Sequence, residues 1–181
     1  RGIATEGADE AWKEAALGEV VAVANDNGGG QVVVSGHKAA VERAIEAAKS
    51  RGAKRGMLLP VSAPFHCPLM QPAADAMAEA LANVTIKAPA APLVSNVLAS
   101  AITDPDEIRR RLVEQVTGTV RWRESVAYMA GQGVTRFFEI GAGKVLTGLV
   151  KRIADGAVGV AVGGPNDIAA AKDALAAAKQ G

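Results

Sequence analysis

"EVVAVANDNGGGQVVVSGHKAAVERAIEAAKSRG", residues 19–52, contains three successive elements that decide the fold of the first part of the chain. Two β-branched runs flank "DNGGG", whose Asn-Gly and Gly-Gly steps supply the positive φ values of a tight turn, so a β-hairpin is predicted. From His37 to Arg51, alanine and aliphatic residues recur at helical spacing. Gly52 ends that pattern, which predicts a helix.

The flanking segments extend this pattern in both directions. Residues 5–17 have acidic residues early and Ala, Trp and Leu spaced for one face, which predicts a short helix. Residues 54–62, "KRGMLLPVS", are predicted to form a buried strand. The order helix, strand, strand, helix, strand is that of a ferredoxin-like β-α-β-β-α-β unit without its first strand. We expect this incomplete small subdomain to occupy residues 1–60.

The remainder of the chain alternates between helical and extended patterns. Asp104 is the predicted N-cap of one helix, with Pro105 at its first position. Because strands that alternate with helices are typical of parallel sheets, we expect residues 61–181 to form part of a largely parallel α/β core. The predicted helices cover residues 72–82, 105–116, 121–133 and 145–153 and start again at residue 166, and the predicted strands cover residues 91–97, 134–140 and 158–162.

The composition excludes several classes of partner. The 181 residues carry 20 basic and 19 acidic side chains, and a net charge of +1 gives no field that favours nucleic acid or a membrane surface. No apolar run approaches the roughly 18 residues that span a bilayer. The N-terminal residues also lack the apolar region of a signal peptide, so we expect a cytoplasmic protein that acts on small molecules or other proteins.

"SAPFHC", residues 62–67, places His66 directly before Cys67, the only cysteine. In an extended segment adjacent side chains point to opposite faces, so these two residues are not expected to act on each other. Cys67 is interpreted as a small buried residue. His66 is either a functional histidine or a hydrogen-bonded structural one. Since His37 is the only other imidazole, no metal site is expected.

"FFEIGAGKVLTG", residues 137–148, runs from a predicted strand through glycines into a predicted helix, but its spacing rejects nucleotide-binding motifs. A P-loop that ends at Gly143 and Lys144 would need glycine at Phe138 and a hydroxyl residue at Val145. Helix N-termini bind anions in general, so a phosphate role remains an alternative to a simple tight turn.

Two further features leave their roles open. Asn25 and Asn27 either complete the hairpin turn or offer amide groups to a ligand. Basic residues cluster at 49–55 and at 109–111, where they form either solvated faces or docking surfaces. No G-x-S-x-G nucleophile elbow occurs in the sequence, so a histidine base would have no obvious serine to activate.

Four blocks of sequence together resemble one family. They occur in the order found in the malonyl-CoA:acyl carrier protein transacylases of bacterial fatty-acid synthesis, and the resemblance runs from about Gly18 to the C-terminus. The chain thus resembles the C-terminal portion of these enzymes. The blocks are "ANDNGGGQVVVSGHKAAVERA" (24–44), "GAKRGMLLPVSAPFHCPLMQPAADAMAEAL" (52–81), "VEQVTGTVRWRESVAYMAGQGV" (113–134) and "EIGAGKVLTGLVKRI" (139–153).

The resemblance implies a ping-pong malonyl transfer by a Ser-His pair. A serine in a G-H-S-x-G elbow takes malonyl from coenzyme A and passes it to the phosphopantetheine thiol of acyl carrier protein. His66 matches the general base of the family, and Gln115 matches the residue that orients this base through its main-chain carbonyl. Asn25 and Asn27 fall in the family's loop beside the substrate channel.

The resemblance also implies partners and a fold. Lys54 and Arg55 are candidates for docking the acidic carrier protein. Residues 61–181 would be the C-terminal part of an α/β hydrolase-like acyltransferase core, with a coenzyme A thioester as substrate and no bound cofactor. In the family the serine, the oxyanion-hole glutamine and the malonate-binding arginine all precede the region that matches this chain, so the nucleophile is expected before Arg1 and the chain alone is expected to be inactive.

The sequence leaves one alternative and one departure from the family. The alternative is a non-catalytic fragment that binds carrier protein or complements an N-terminal piece. The departure is Ala142, which stands where the family usually has proline; a tight turn at residues 141–144 is still expected.

Overall fold

The computed structural model describes residue 12 and residues 14–178. Most of the helix expected over residues 5–17 therefore lies outside the described residues. The chain divides into two compact units, of which one ends at Ser125 and the other begins at Val126. The boundary expected at residue 60 stays a prediction.

The first unit contains the β-hairpin that the sequence predicts. Strand β1 (Val21–Asp26) pairs antiparallel with β2 (Val32–Gly36), and the three turn glycines all have positive φ. Helix α1 (Lys38–Ser50) follows, within one residue of its predicted bounds at each end. Its buried face consists of alanines spaced four residues apart, so its backbone packs closely against the hairpin and Trp12. These alanines are Ala40, Ala44 and Ala48.

Residues 54–62 do not form the predicted buried strand. Four of their apolar side chains are 49 to 60% exposed, namely those of Met57, Leu58, Leu59 and Val61. A strand needs a neighbour for its N–H and C=O groups, which apolar composition does not specify, and Pro60 has no N–H to donate. The segment instead crosses α1 closely at Gly56, where an added Cβ would lie 2.7 Å from Ile45 Cγ2.

The end of β1 is bridged by a distant residue of the same unit. The Val120 N–H donates to Ala24 O at 2.8 Å, and the Asp26 N–H donates to Val120 O at 3.0 Å. These two bonds form an isolated parallel bridge between Asn25 and Val120. The edge of β1 that faces away from β2 is therefore held by the residues that follow position 118.

A second hairpin and two helices complete the elements of the first unit. In chain order they are a 3₁₀ turn (Pro68–Met70), α2 (Gln71–Ala82), β3 (Leu93–Ser95), β4 (Ser100–Ile102) and α3 (Pro105–Thr117). Asp104 caps α3 as predicted, because its Oδ1 accepts the Glu107 N–H at 2.7 Å. Helix α2 packs against α3, and α4 (Trp122–Gly131) begins in this unit.

The β3–β4 hairpin is not predicted by the sequence pattern. Its turn contains Ala99 with a φ of 54°, in the left-handed region that normally calls for glycine or asparagine. Because alanine at this point gives no turn signal, the sequence shows only one short strand here. Both strands form one antiparallel pair.

The second unit contains a parallel β-α-β arrangement. Strand β5 (Arg136–Ile140) pairs in parallel with β6 (Val158–Val162), and helix α5 (Val145–Ile153) connects them. A 3₁₀ turn (Pro165–Asp167) leads into helix α6 (Ile168–Ala178). The helix and the sheet approach closely, since an added Cβ at Gly159 would lie 2.8 Å from Thr147 Cγ2.

The structure confirms a mixed α/β fold and corrects the prediction of a largely parallel sheet. Within residues 14–178 the strands form three two-stranded sheets, and only β5 with β6 is parallel. Alternation of strands and helices predicts parallel pairing only where two strands linked by a helix join one sheet, and among the described residues that occurs once, at β5 and β6. No helix in the described part of the chain is both long and apolar enough to cross a membrane.

Candidate active site

His66 lies in a strained turn and contacts a distant helix end. Its φ of 59° is in the left-handed region, which costs a residue with a Cβ about 1–2 kcal/mol. Its Nδ1 lies 2.8 Å from the main-chain oxygen of Gln115, which is 49 residues away in sequence. Strain of this kind is retained where surrounding contacts hold it, and it concentrates at functional sites.

The Gln115 carbonyl is available because of its place in α3. The last four carbonyl groups of a helix have no partner within the helix, and Gln115 supplies one of them. A carbonyl oxygen only accepts, so the hydrogen of this bond belongs to His66 Nδ1. In the neutral imidazole, Nε2 then carries the lone pair and can accept a proton from a nucleophile.

Asn96 holds the Gln115 side chain, and sequence reasoning missed it. Its Nδ2 donates to Gln115 Oε1 at 3.3 Å, and its main-chain oxygen accepts the Arg121 N–H at 2.9 Å. Arg121 also donates to the main-chain oxygens of Val97 and Leu98, both at 3.2 Å. The turn between β3 and β4 thereby supports the residue that orients His66.

Cys67 is a packing residue, as predicted. Its exposed fraction is 0%, and its thiol donates to Pro64 O at 3.1 Å. His66 and Cys67 therefore have different partners, and no hydrogen bond joins the two side chains. In the part of the chain that the structure describes, no three His, Cys, Asp or Glu residues are placed to hold a metal ion.

Asn25 and Asn27 flank the buried Asp26 at the end of β1. Both asparagines are half-buried, and neither side chain forms a hydrogen bond to another described residue. Asp26 accepts the Gly28 N–H at 3.2 Å and Arg123 Nε at 2.8 Å. Among the described residues, no hydrogen bond joins these asparagines to the His66 and Gln115 pair.

Both basic clusters are neutralised in part by ion pairs with glutamates. In the cluster at 109–111, Arg110 and Arg111 bind Glu107, whose carboxyl pKa lies below its usual value because of these hydrogen bonds. Arg109 donates to Val84 O at 2.9 Å. In the cluster at 49–55, Lys49 and Arg51 pair with Glu46 and Glu14, whereas Lys54 and Arg55 are exposed and form no ion pair with a described residue.

Glu139 occupies the helix N-terminus that could have bound a phosphate. Its carboxylate accepts the N–H groups of Leu146 and Thr147 at 3.1 and 2.7 Å and the Thr147 hydroxyl at 2.6 Å. The Thr147 hydroxyl and then the helix N–H groups hold the Glu139 pKa below its ordinary value. An internal anion thus takes the donors of α5, which argues against the phosphate alternative.

The chain is similar to proteins of one kind in sequence and structure. Malonyl CoA-acyl carrier protein transacylase of Escherichia coli strain K12 is 51% identical over 162 residues, which are 90% of this chain and 52% of that protein. The crystal structure of acyl-carrier-protein-S-malonyltransferase from Bartonella henselae is 48% identical and superposes with a TM-score of 0.92, covering 97% of this chain and 56% of that one.

A second similar structure is a complex. It is a malonyl-transacylase bound to a type II PKS acyl-carrier protein, 44% identical, with a TM-score of 0.90 over 94% of this chain and 55% of that one. A scan against models of protein families gives no match. The chain spans about half the length of the curated relatives that it matches. Over nearly its whole length, the chain is homologous to part of the malonyl CoA-acyl carrier protein transacylases.

Proposed function

We propose that the chain supplies the general base and part of the substrate-binding surface of a malonyl-CoA:acyl carrier protein transacylase, an acyltransferase of fatty-acid synthesis. The observation that carries this proposal is the 2.8 Å contact between His66 Nδ1 and the Gln115 carbonyl, which leaves Nε2 as the proton acceptor. The names of the homologues support the malonyl group, coenzyme A and carrier protein as the reactants.

The chemistry assigns His66 two proton transfers in each half of the reaction. His66 Nε2 takes the proton of a serine hydroxyl as its oxygen attacks the thioester carbonyl, and returns it to the departing coenzyme A sulfur. The carrier-protein thiol then gives its proton to Nε2 while its sulfur attacks the malonyl-serine ester, and the serine oxygen recovers that proton. Gln115 keeps the ring in the required tautomer throughout.

The serine of this scheme has no counterpart in the sequence, which contains no G-x-S-x-G elbow. By itself the chain is therefore proposed to be inactive, because a base without a nucleophile to deprotonate has no covalent step to assist. Asn25 and Asn27 are proposed to contact the substrate, since their amide groups bind no other described residue. The reaction requires no bound cofactor, and we place it in the cytoplasm.

The finer fold assignment belongs to the same proposal. Residues 1–60 would be the ferredoxin-like small subdomain without its first strand, and the β1–β2 hairpin followed by α1 supports this. Residues 61–181 would be the C-terminal part of an α/β hydrolase-like core, which the parallel β5-α5-β6 arrangement supports.

The function can be tested with the chain alone and with the chain joined to the remaining half of the Escherichia coli relative. Radiolabelled malonyl-CoA should leave no label on the chain alone. The joined protein should become labelled and pass the label to acyl carrier protein. Stoichiometric labelling of the chain alone would contradict the proposed missing nucleophile, and a folded joined protein that transfers no malonyl would contradict the proposed activity.

A second candidate function is binding of carrier protein without turnover. It is favoured by the exposed, unpaired state of Lys54 and Arg55 among the described residues, because acyl carrier protein is acidic and such charges raise the rate of encounter. Reversing both charges should slow association with carrier protein, most strongly at low salt. Reversal of Lys87 and Lys172, which are also exposed and form no ion pair with a described residue, is the matched control. Equal association rates for both double variants would exclude a docking role for Lys54 and Arg55.

A further inference from the structure

Asp26 is a buried carboxylate whose two oxygens have separate partners. The residue is 6% exposed. Its Oδ2 accepts Arg123 Nε at 2.8 Å, and its Oδ1 accepts the Gly28 N–H at 3.2 Å in an Asx-type turn. A buried carboxylate is costly unless it is paired and hydrogen-bonded, so Arg123 is the partner that makes aspartate acceptable here.

The position of Asp26 in β1 connects this pair to the two candidate substrate-binding residues. Successive side chains of an extended strand point to opposite faces, so Asn25 lies on the face opposite to that of Asp26, and Asn27 follows directly after the end of the strand. The pairing register of β1 with β2 shifts between Val23 and Asn25, which makes the backbone irregular at this point. An irregular strand end needs another contact to fix which face the asparagines occupy.

Two further hydrogen bonds join residues 119 and 120 to the same end of β1. The Asp26 N–H donates to Val120 O at 3.0 Å, and Thr119 Oγ1 donates to Val23 O at 2.6 Å. Arg123 thus belongs to a segment, residues 119–123, that already lies along β1. The side-chain pair adds a link with a defined direction, because Nε of a guanidinium is a planar donor at a fixed angle.

The same segment reaches the His66 contact through Arg121. The Arg121 N–H binds Asn96 O at 2.9 Å, Asn96 Nδ2 binds Gln115 Oε1 at 3.3 Å, and the Gln115 carbonyl binds His66. Residues 119–123 therefore contact the end of β1, next to Asn25 and Asn27, and also Asn96, which holds the side chain of Gln115. Both candidate parts of the site are thus connected to one segment of five residues.

We propose that the Asp26–Arg123 ion pair is a positioning device that orients Asn25 and Asn27 for binding of the acyl-coenzyme A thioester. The inference rests on the proposed function, because it takes that thioester as the ligand. Asp26 and Arg123 do not touch the reacting atoms and act through the asparagines. A purely stabilising ion pair would leave the orientation of the asparagines unchanged.

The test places Asp26→Asn and Arg123→Gln, singly and together, in the chain joined to the remaining half of the Escherichia coli relative. Asp26→Asn keeps the shape and the Gly28 acceptor while it removes the charge, and Arg123 is 44% exposed in its side chain, so neither variant should prevent folding. Arg110→Gln is the matched control, because it removes a different arginine-carboxylate pair. Arg123→Lys is the conservative variant, because it keeps the positive charge but cannot form the directed Nε bond.

Three measurements are made on each variant: the side-chain amide NMR signals of Asn25 and Asn27, the dissociation constant for malonyl-CoA, and the urea midpoint. We expect each single variant to shift both amide signals and to weaken malonyl-CoA binding by roughly 2- to 30-fold. The double variant should be no weaker than the singles, since one interaction is lost in all three. Arg110→Gln should leave the signals and the affinity unchanged.

The outcomes separate the two levels of the proposal. Unchanged asparagine signals in both single variants would overturn the positioning role, whatever happens to the urea midpoint. Shifted signals with unchanged affinity would overturn the link to substrate binding. If the wild-type joined protein binds no malonyl-CoA, the proposed substrate contact is wrong, while shifted asparagine signals would still support the orientation of Asn25 and Asn27 by the ion pair.

Discussion

Replacing His66 by glycine and by alanine tests whether the strained turn at this residue is a property of the molecule. Both variants lose the hydrogen bond to the Gln115 carbonyl, which contributes about 1 kcal/mol, so that loss cancels when the two are compared. At an ordinary position the glycine variant would be the less stable one by about 0.5–1 kcal/mol.

The backbone of His66 reverses this order. At a φ of 59° alanine retains the left-handed strain of about 1–2 kcal/mol, and glycine does not. We therefore expect His66→Gly to be more stable than His66→Ala by about 1 kcal/mol. Equilibrium unfolding in urea, followed by tryptophan fluorescence, measures this difference directly.

The neighbouring Phe65 is the control for this comparison. It is 47% exposed and does not have positive φ, so Phe65→Gly should be less stable than Phe65→Ala by the usual amount, about 0.5–1 kcal/mol. If the glycine variant is the less stable of the pair at both positions, His66 is not strained, and the reasoning that links its turn to function fails.

Three further predictions concern acid stability, the thiol and a close backbone approach. The Thr147 hydroxyl and helix N–H groups hold the Glu139 pKa below 4.5, so its stabilisation is complete above that pH and is lost as the pH falls through the lowered pKa. Glu139→Gln should make the urea midpoint less dependent on pH in this acidic range, and an unchanged dependence would contradict the role of Glu139. Cys67, at 0% exposure, should react with a thiol reagent only in urea, and rapid reaction of the native chain would show that it is accessible. In Gly118→Ala the new Cβ would lie 2.9 Å from Val97 Cγ1, so we expect about 1–3 kcal/mol of destabilisation, which an unchanged urea midpoint would refute.

The helices could be predicted from sequence because their signals are local. The α1 pattern ends within one residue of the observed helix, and Asp104 caps α3 through the Glu107 N–H as its position predicts. The failures lie where structure depends on distant partners. Residues 54–62 have the composition of a buried strand without a strand beside them, and the turn at Ala99 lacks a glycine signal.

The candidate site shows the same limit more sharply. The local sequence around His66 fits either a functional or a structural histidine, because no local pattern links it to Gln115, which is 49 positions away. Only the resemblance to a family pairs the two residues. Asp26 and Arg123, 97 positions apart, gave no signal at all. From sequence alone, an aspartate between two asparagines predicts only a polar turn, and the structure is needed to show its partner.

The most direct test of the account is malonyl transfer by the joined protein with His66→Ala compared with Cys67→Ala. The two residues are adjacent, but only His66 is proposed to move protons, since the Cys67 thiol is buried against Pro64. We expect Cys67→Ala to transfer malonyl to carrier protein at close to the original rate and His66→Ala to lose roughly 100- to 10,000-fold. A folded His66→Ala protein that retains the original rate would contradict the assignment of His66 as the general base.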